Sequence, residues 1–397
     1  MDKKVLVKCE RLDNFGRGIG KVSDKIIFVP NLLPSEESIV EIVSDKKNYM
    51  NGEIISLKKQ SLDRVCSNCS YNSCGCSLKS LSYEKTLEYK REKVKDILKR
   101  IGGIDFDIKS IVPSDNIFGY RNKISLKVVD GKIGYFKNNS NDLIEIDKCV
   151  VATGRINEVI GVLKKCDLSL VFEIIIKDMD ELMIIINGKM DVNSLKPFAD
   201  SIYMNDKLVY GQEKVLKNVL DYKFYVSKDA FFQINDDITK KLYLKVLEFA
   251  GKGDNVLDLY CGTGTISLLL SKQFKKVTGI EINKEAVSCA NENKKLNNIR
   301  NINFMCGDAN KLTKNLMADV IVVDPARSGL MKDGIKNILN IKPKKIVYVS
   351  CNPLSLARDL RELTQFYDVK KIELYDMFPW THHVEVVSLL CLKTLEK

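Results

Sequence analysis

From about residue 225 onward the chain alternates between short apolar runs and segments with helical spacing, and this alternation limits its possible folds more than any other feature. Seven runs read as strands: "NVLDLY", "KVTGIEI", "INFMCGD", "ADVIVVD", "KIVYVSC", "VKKIELYDMF" and "VEVVSLLCLK". Strands buried on both faces read as nearly continuous apolar runs. Helical segments separate the first six, whereas only the short "PWTHH" lies between the last two. A parallel neighbour needs a long crossover, and a short link allows only an antiparallel one. The pattern therefore predicts an α/β domain with a doubly wound parallel sheet and an antiparallel last strand.

The remainder divides by texture. Residues 1–60 show short β patterns, "KVLVKCERL", "KIIFVP", "SIVEIVS" and "GEIISLKK", with a glycine-rich charged loop "DNFGRGIGK". Such strands predict a small OB-like barrel, a form that binds nucleic acid through basic and aromatic groups. Residues 61–224 hold a cysteine-dense stretch, a basic helix ending in two glycines, and a mainly β region with two predicted hairpins. Charges on such a helix are expected to face solvent. Residues 225–397 form the α/β domain. Lys and Arg exceed Asp and Glu by eleven, which favours a polyanionic partner such as nucleic acid. No apolar stretch of about 18 residues occurs, so neither a membrane span nor a signal peptide is expected, and the protein is expected in the cytoplasm. Twelve cysteines then argue for metal or catalytic roles rather than disulfides. The two histidines, His382 and His383, are adjacent.

"NVLDLYCGTGTISLLLS" is strand, glycine turn and helix. In a dinucleotide site the third position of G-x-G-x-x-G is glycine; here it is Ser267. Glu281 ends the next strand, where a carboxylate accepts from ribose hydroxyls and repels phosphate. A cofactor with a ribose and an adenine but no phosphate, S-adenosylmethionine (SAM), fits this combination. The strand order suits a seven-stranded class I SAM-dependent methyltransferase domain better than a dehydrogenase. Asp308 falls near the expected adenine, although a plain turn aspartate reads the same way.

"IVVDPARSGL" puts Asp324 and a rigid turn at the mouth of the sheet, without the aromatic of amino-group methyltransferases or the cysteine of cytosine-5 enzymes. In "KIVYVSCNPLSLARDL", Cys351 falls between a strand and an Asn-Pro turn. Carbon 5 of uracil is a poor nucleophile; a thiolate added at carbon 6 turns it into an enolate, and a base must later remove the proton at carbon 5. With histidine scarce, Glu385 in "FPWTHHVEVV" is the natural base. The plainer alternative for Cys351 is a buried small apolar residue, as expected for Cys289, Cys306 and Cys391.

Together, "YRNK" (Tyr120 to Lys123), "FFQIN", "DLYCGTGT", "DPARSGL", "SCNP", "THHVEVV" and an N-terminal barrel like a TRAM domain resemble the RNA uracil-5 methyltransferases. The likeness covers nearly the whole chain and is greatest to the branch that methylates 23S ribosomal RNA. The resemblance implies Cys351 as nucleophile, Glu385 as proton acceptor, SAM contacts at Gln233, Tyr260, Glu281 and Asp324, Arg121 near the RNA, and a monomer. The target uridine would leave its stack to reach the cysteine. Relatives acting on transfer RNA usually lack the barrel and the cysteine cluster; a non-catalytic RNA-binding assembly factor would need neither Cys351 nor Glu385. Many members of the branch also hold a 4Fe-4S cluster, which implies Cys66, Cys74, Cys76 and Cys149 as ligands, with Cys69 an alternative to Cys74. Zinc on the local cysteines is the other reading.

Overall fold

The computed structural model describes residues 4–71, 74–137, 140–313 and 316–394. The first six strands are β1 (Lys4–Lys8), β2 (Arg11–Leu12), β3 (Gly18–Val22), β4 (Lys25–Val29), β5 (Glu37–Asp45) and β6 (Tyr49–Lys59). They form one sheet in the order β1-β5-β6-β4-β3-β2. Their inward apolar residues, among them Val7, Ile27, Val29 and Val40, make a small core of their own.

Helix α1 (Tyr83–Ile97) runs on through one wide turn to Gly103, whose φ of +67° closes it, as the paired glycines predict. Its charges do not all face solvent. Lys90 is fully buried, pairs with Asp376 and donates to the Phe378 carbonyl at 3.0 Å. Strand β7 (Ile111–Val112) follows.

Strands β8 (Lys123–Val129) and β9 (Lys132–Phe136) form the first predicted hairpin. Its turn residues Asp130 and Gly131 have φ of 50° and 74°, the left-handed pair a two-residue link requires. After β10 (Leu143–Glu145) and α2 (Gly154–Leu163), β11 (Leu170–Asp178) and β12 (Leu182–Lys189) make the second hairpin. With β13 (Ser201–Met204) and β14 (Lys207–Gly211) the sheet runs β10-β9-β8-β11-β12-β13-β14. Helix α2 covers one face, packing Ile156 and Ile160 with Ile174, Ile176 and Ile184. From the other face Met183, Ile185 and Tyr203 enter a core shared with the C-terminal part. That explains why "LMIII" of β12 is buried without alternation.

A ribbon of β15 (Val215–Val219) and β16 (Tyr222–Val226) leads to α3 (Asp236–Ala250). The alternating region follows as β17 (Gly253–Leu259), α4 (Thr265–Leu270), β18 (Phe274–Glu281), α5 (Lys284–Leu296), β19 (Ile302–Cys306), α6 (Ala309–Leu312), β20 (Val320–Val323), α7 (Met331–Ile341), β21 (Lys345–Ser350), α8 (Pro353–Leu363), β22 (Tyr367–Tyr375) and β23 (Glu385–Leu392). The sheet order is β19-β18-β17-β20-β21-β23-β22-β7, with β23 antiparallel to both neighbours. All seven predicted strands are present, and the short link gives the antiparallel last strand. The eighth is β7, which adds in parallel to the outer edge of β22; two residues are too few to show a period in sequence. Among the described residues no helix is long and apolar enough to cross a membrane.

Candidate active site

Parallel strands bring their C-terminal ends to one sheet edge, where crossover connections leave a crevice. Tyr260 follows β17, Glu281 ends β18, Asp324 follows β20 and Cys351 follows β21. Because β23 runs the other way, its first residue, Glu385, reaches the same edge, and the pairing of Ser350 with Val386 sets it beside Cys351. Gln233 arrives on the loop entering α3. These six residues line one cavity of about 720 Å³, a volume typical of small-molecule sites.

One half of the cavity is built around the glycine turn. Tyr260, Gly262 and Gly264 all have positive φ, and a Cβ on Gly264 would lie 2.7 Å from the Phe304 ring. The Glu281 carboxylate is fixed by the Gly262 and Asn283 amides, which donate to it at 3.1 and 2.9 Å. Ser267, standing where a dinucleotide site has glycine, donates its hydroxyl to Asp258 Oδ2 at 2.6 Å. Asp258 also lines the cavity; it is buried, and its Oδ1 has no partner. Burial raises its pKa to about 7 and that of Asp324 to about 7. A buried carboxyl with an unmet acceptor fits a cationic group and excludes a phosphate. SAM carries a sulfonium, an ammonium and a ribose, and these residues fit it. Asp308 bears electrostatically on Tyr260 and is not among the cavity's lining residues.

The other half holds the reactive groups. Burial, then the charges of Glu385 and Asp324, push the Cys351 thiol up to about 11, while Arg327 draws it down. Glu385 is 3% exposed; burial and then Asp324 hold its carboxyl well above the ordinary range, again opposed by Arg327. His382 and His383 are depressed by burial to about 4 and about 3, so both rings are neutral near pH 7. Arg121, Lys123, Phe231 and His383 complete the wall. Phe231, 68% exposed, and Asp258 are among the lining residues the sequence reading passed over. The first sat unremarked beside Gln233, and the second inside the glycine motif itself.

The family model for tRNA (Uracil-5-)-methyltransferase matches residues 185–393, and that for the TRAM domain matches residues 3–55. An uncharacterized RNA methyltransferase of Halalkalibacterium halodurans is 35% identical, over 98% of this chain and 97% of that protein. The chain belongs to the RNA uracil-5 methyltransferase family. Another uncharacterized RNA methyltransferase, of Caldanaerobacter subterraneus subsp. tengcongensis, is also 35% identical over 98% of each chain. Among solved structures, the tRNA (uracil-54, C5)-methyltransferase of Pyrococcus abyssi in complex with S-adenosyl-L-homocysteine has a TM-score of 0.82 and 29% identity. It covers 97% of this chain and 99% of its own. Its span takes in most of the barrel region, so a barrel does not by itself separate ribosomal from transfer RNA enzymes. This chain is thus a SAM-dependent RNA methyltransferase with a TRAM domain.

The enzyme's cysteine segment departs from the expected ligand set. The charges bearing on Cys74 come from Cys69, Cys76 and Cys149, and those on Cys76 from Cys149 and Cys69, opposed by Arg121 and Lys79. Cys66 is exposed. Among the described residues no three Cys, His, Asp or Glu side chains close into a set able to hold a metal ion. These residues therefore give no support to an iron–sulfur cluster or a zinc ion, and no step below runs through either.

Proposed function

We propose that this enzyme methylates carbon 5 of a uridine in 23S ribosomal RNA through a covalent adduct between Cys351 and carbon 6. The observation that carries the reading is the placement of a thiol and a buried carboxyl side by side, at β21 and β23, on a cavity whose other half suits a nucleoside cation. Gln233, Tyr260, Glu281 and Asp324 would hold SAM, which supplies a methyl group on a sulfonium, an electrophile that an electron-rich carbon 5 accepts. Cys351 makes carbon 5 electron-rich by forming the Sγ–C6 bond as the C5–C6 π electrons move toward the O4 carbonyl. After methylation one proton remains on carbon 5. Glu385 removes it, the electrons restore the C5–C6 double bond, and the C6–Sγ bond breaks to return the thiolate. The proton ends on Glu385, whose buried setting favours the protonated form. The exposed Phe231 ring offers a stacking face for a base turned out of its helix.

A second reading, a uridine of transfer RNA, is favoured by the Pyrococcus abyssi structure. The deciding experiment presents labelled SAM with unmodified ribosomal and transfer RNA and identifies the product by nucleoside mass spectrometry. The expected result is 5-methyluridine in ribosomal RNA, none with Cys351→Ala, and a trapped protein–RNA adduct with Glu385→Gln, which cannot complete proton removal. Label in transfer RNA alone would move the target to the second reading. An active Cys351→Ala protein would sink the covalent mechanism.

A further inference from the structure

The loop between β2 and β3 reaches from the barrel to the turn that carries the histidines. Asp13 folds it: Oδ1 accepts from the Phe15 and Arg17 amides at 2.9 and 2.8 Å, and Oδ2 pairs with the Arg17 guanidinium at 2.7 Å. Its carbonyl accepts from the Tyr89 hydroxyl of α1 at 2.6 Å. Gly16 has φ of +79°, and a Cβ there would lie 2.8 Å from Leu78 Cδ2, so the loop lies tight against the segment before α1. A loop fixed this firmly still leaves the Phe15 ring 54% exposed. So many fixed contacts holding a ring at the surface call for a reason.

The inner edge of that ring supplies one. Phe15 meets His382 edge-on with centroids 5.7 Å apart, His382 lies 4.1 Å from His383, and His383 lies 5.6 Å from Phe378. Phe378 and His383 line the cavity that holds Cys351 and Glu385. Ser77 Oγ fixes His382, 3.1 Å from Nδ1 and accepting from its amide at 3.1 Å. Arg17 stands 5.5 Å from the Phe15 centroid, and the charge of Arg327 reaches both histidines. A row of rings bordered by two arginines therefore joins the barrel to the catalytic cavity.

We propose that Phe15 is a stacking platform for a base of the substrate RNA beside the target uridine, and that the ring row leads the strand into the cavity. Bases stack on aromatic faces regardless of sequence, while flanking cations meet the phosphates. A protein partner would want an apolar patch wider than one ring, and the chain's excess of eleven positive charges favours a polyanion. The proposal rests on RNA being the substrate, not on which RNA or which uridine.

The test uses the full-length enzyme and whichever unmodified transcript, ribosomal or transfer, the wild type methylates. Phe15→Ala is expected to raise KM for that RNA roughly tenfold, leave SAM affinity by calorimetry and kcat unchanged, and leave the salt slope of RNA binding unchanged because the ring carries no charge. Phe15→Tyr is expected to restore KM. An unchanged KM would overturn the proposal, as would parallel losses of SAM affinity and melting temperature, which mark a packing role. A wild type that methylates neither RNA would instead defeat the functional reading, and this proposal with it.

Discussion

Asp258 has one carboxylate oxygen bonded to Ser267 and the other without a partner. Burial raises its pKa from 3.8 to about 7. A carboxyl that holds its proton more tightly when folded contributes stability that is full below the unfolded pKa and is lost as pH rises through the folded one. Between pH 3.8 and about 7, Asp258 therefore withdraws stability from the SAM-free enzyme, and a bound cation would return it. Asp258→Asn should melt progressively higher relative to wild type as pH is raised from about 5 to about 8, while binding SAM about tenfold more weakly. Melts of both proteins at the two pH values check this; an offset independent of pH would show that the carboxyl does not titrate as described. The sequence made Cys351, Asp324 and Glu281 visible because each ends a strand whose apolar run is unmistakable. Asp258 stayed hidden because its meaning depends on Ser267, nine residues on, which sequence reading could register only as a departure from glycine.

At the scale of elements, β11 delivers Lys177, 1% exposed, to the loop that carries Phe231 and Gln233. Its Nζ donates to the carbonyls of Ser227, Lys228 and Ala230 at 3.1, 2.6 and 2.9 Å, using all three ammonium hydrogens. Asn122 holds the far end by donating to the Gln233 carbonyl at 3.1 Å. The central sheet thus shapes one wall of the cofactor cavity. Lys177→Met would leave three carbonyls unpaired, a loss of about 3 kcal/mol, and should weaken SAM binding while speeding hydrogen exchange across residues 227–233. A control such as Ile160→Ala, in the core under α2, should lower stability without either effect. If both variants weaken SAM equally, Lys177 is only a core residue. "FEIIIKD" shows only a strand, since a local period cannot reveal a distant loop folding over its lysine; on α1, where the charges were expected to face solvent, Lys90 is hidden in the same way. The two hairpins were legible because the Asp130-Gly131 turn of the first and the paired apolar runs around the short polar link of the second are local signals.

Across the whole molecule the cores divide unevenly. The barrel core of Val7, Leu32, Val40 and neighbours is self-contained, whereas Met183 and Ile185 of the central sheet share a core with Val246, Val256 and Val347 of the C-terminal part. Strand β7 and the buried Lys90–Asp376 pair tie the preceding segment into the same body. Removing one member of a buried ion pair strands the other, so this body should not come apart by element. A barrel of this size is marginal alone, and it meets the rest through limited contacts, including the Phe15 loop and the Arg64–Glu36 ion pair at 2.5 Å. Calorimetry should therefore show a smaller transition for the barrel below a larger one for everything else. Leu32→Ala, costing about 3 kcal/mol in a filled core, should lower only the first, and Met183→Ala only the second. Adding SAM should raise only the second, because its cavity lies wholly within the larger body. A single transition moved by both substitutions would mean that the loop contact and the ion pair couple the barrel energetically to the active site, and RNA held by the barrel would then stabilise the catalytic turn as well.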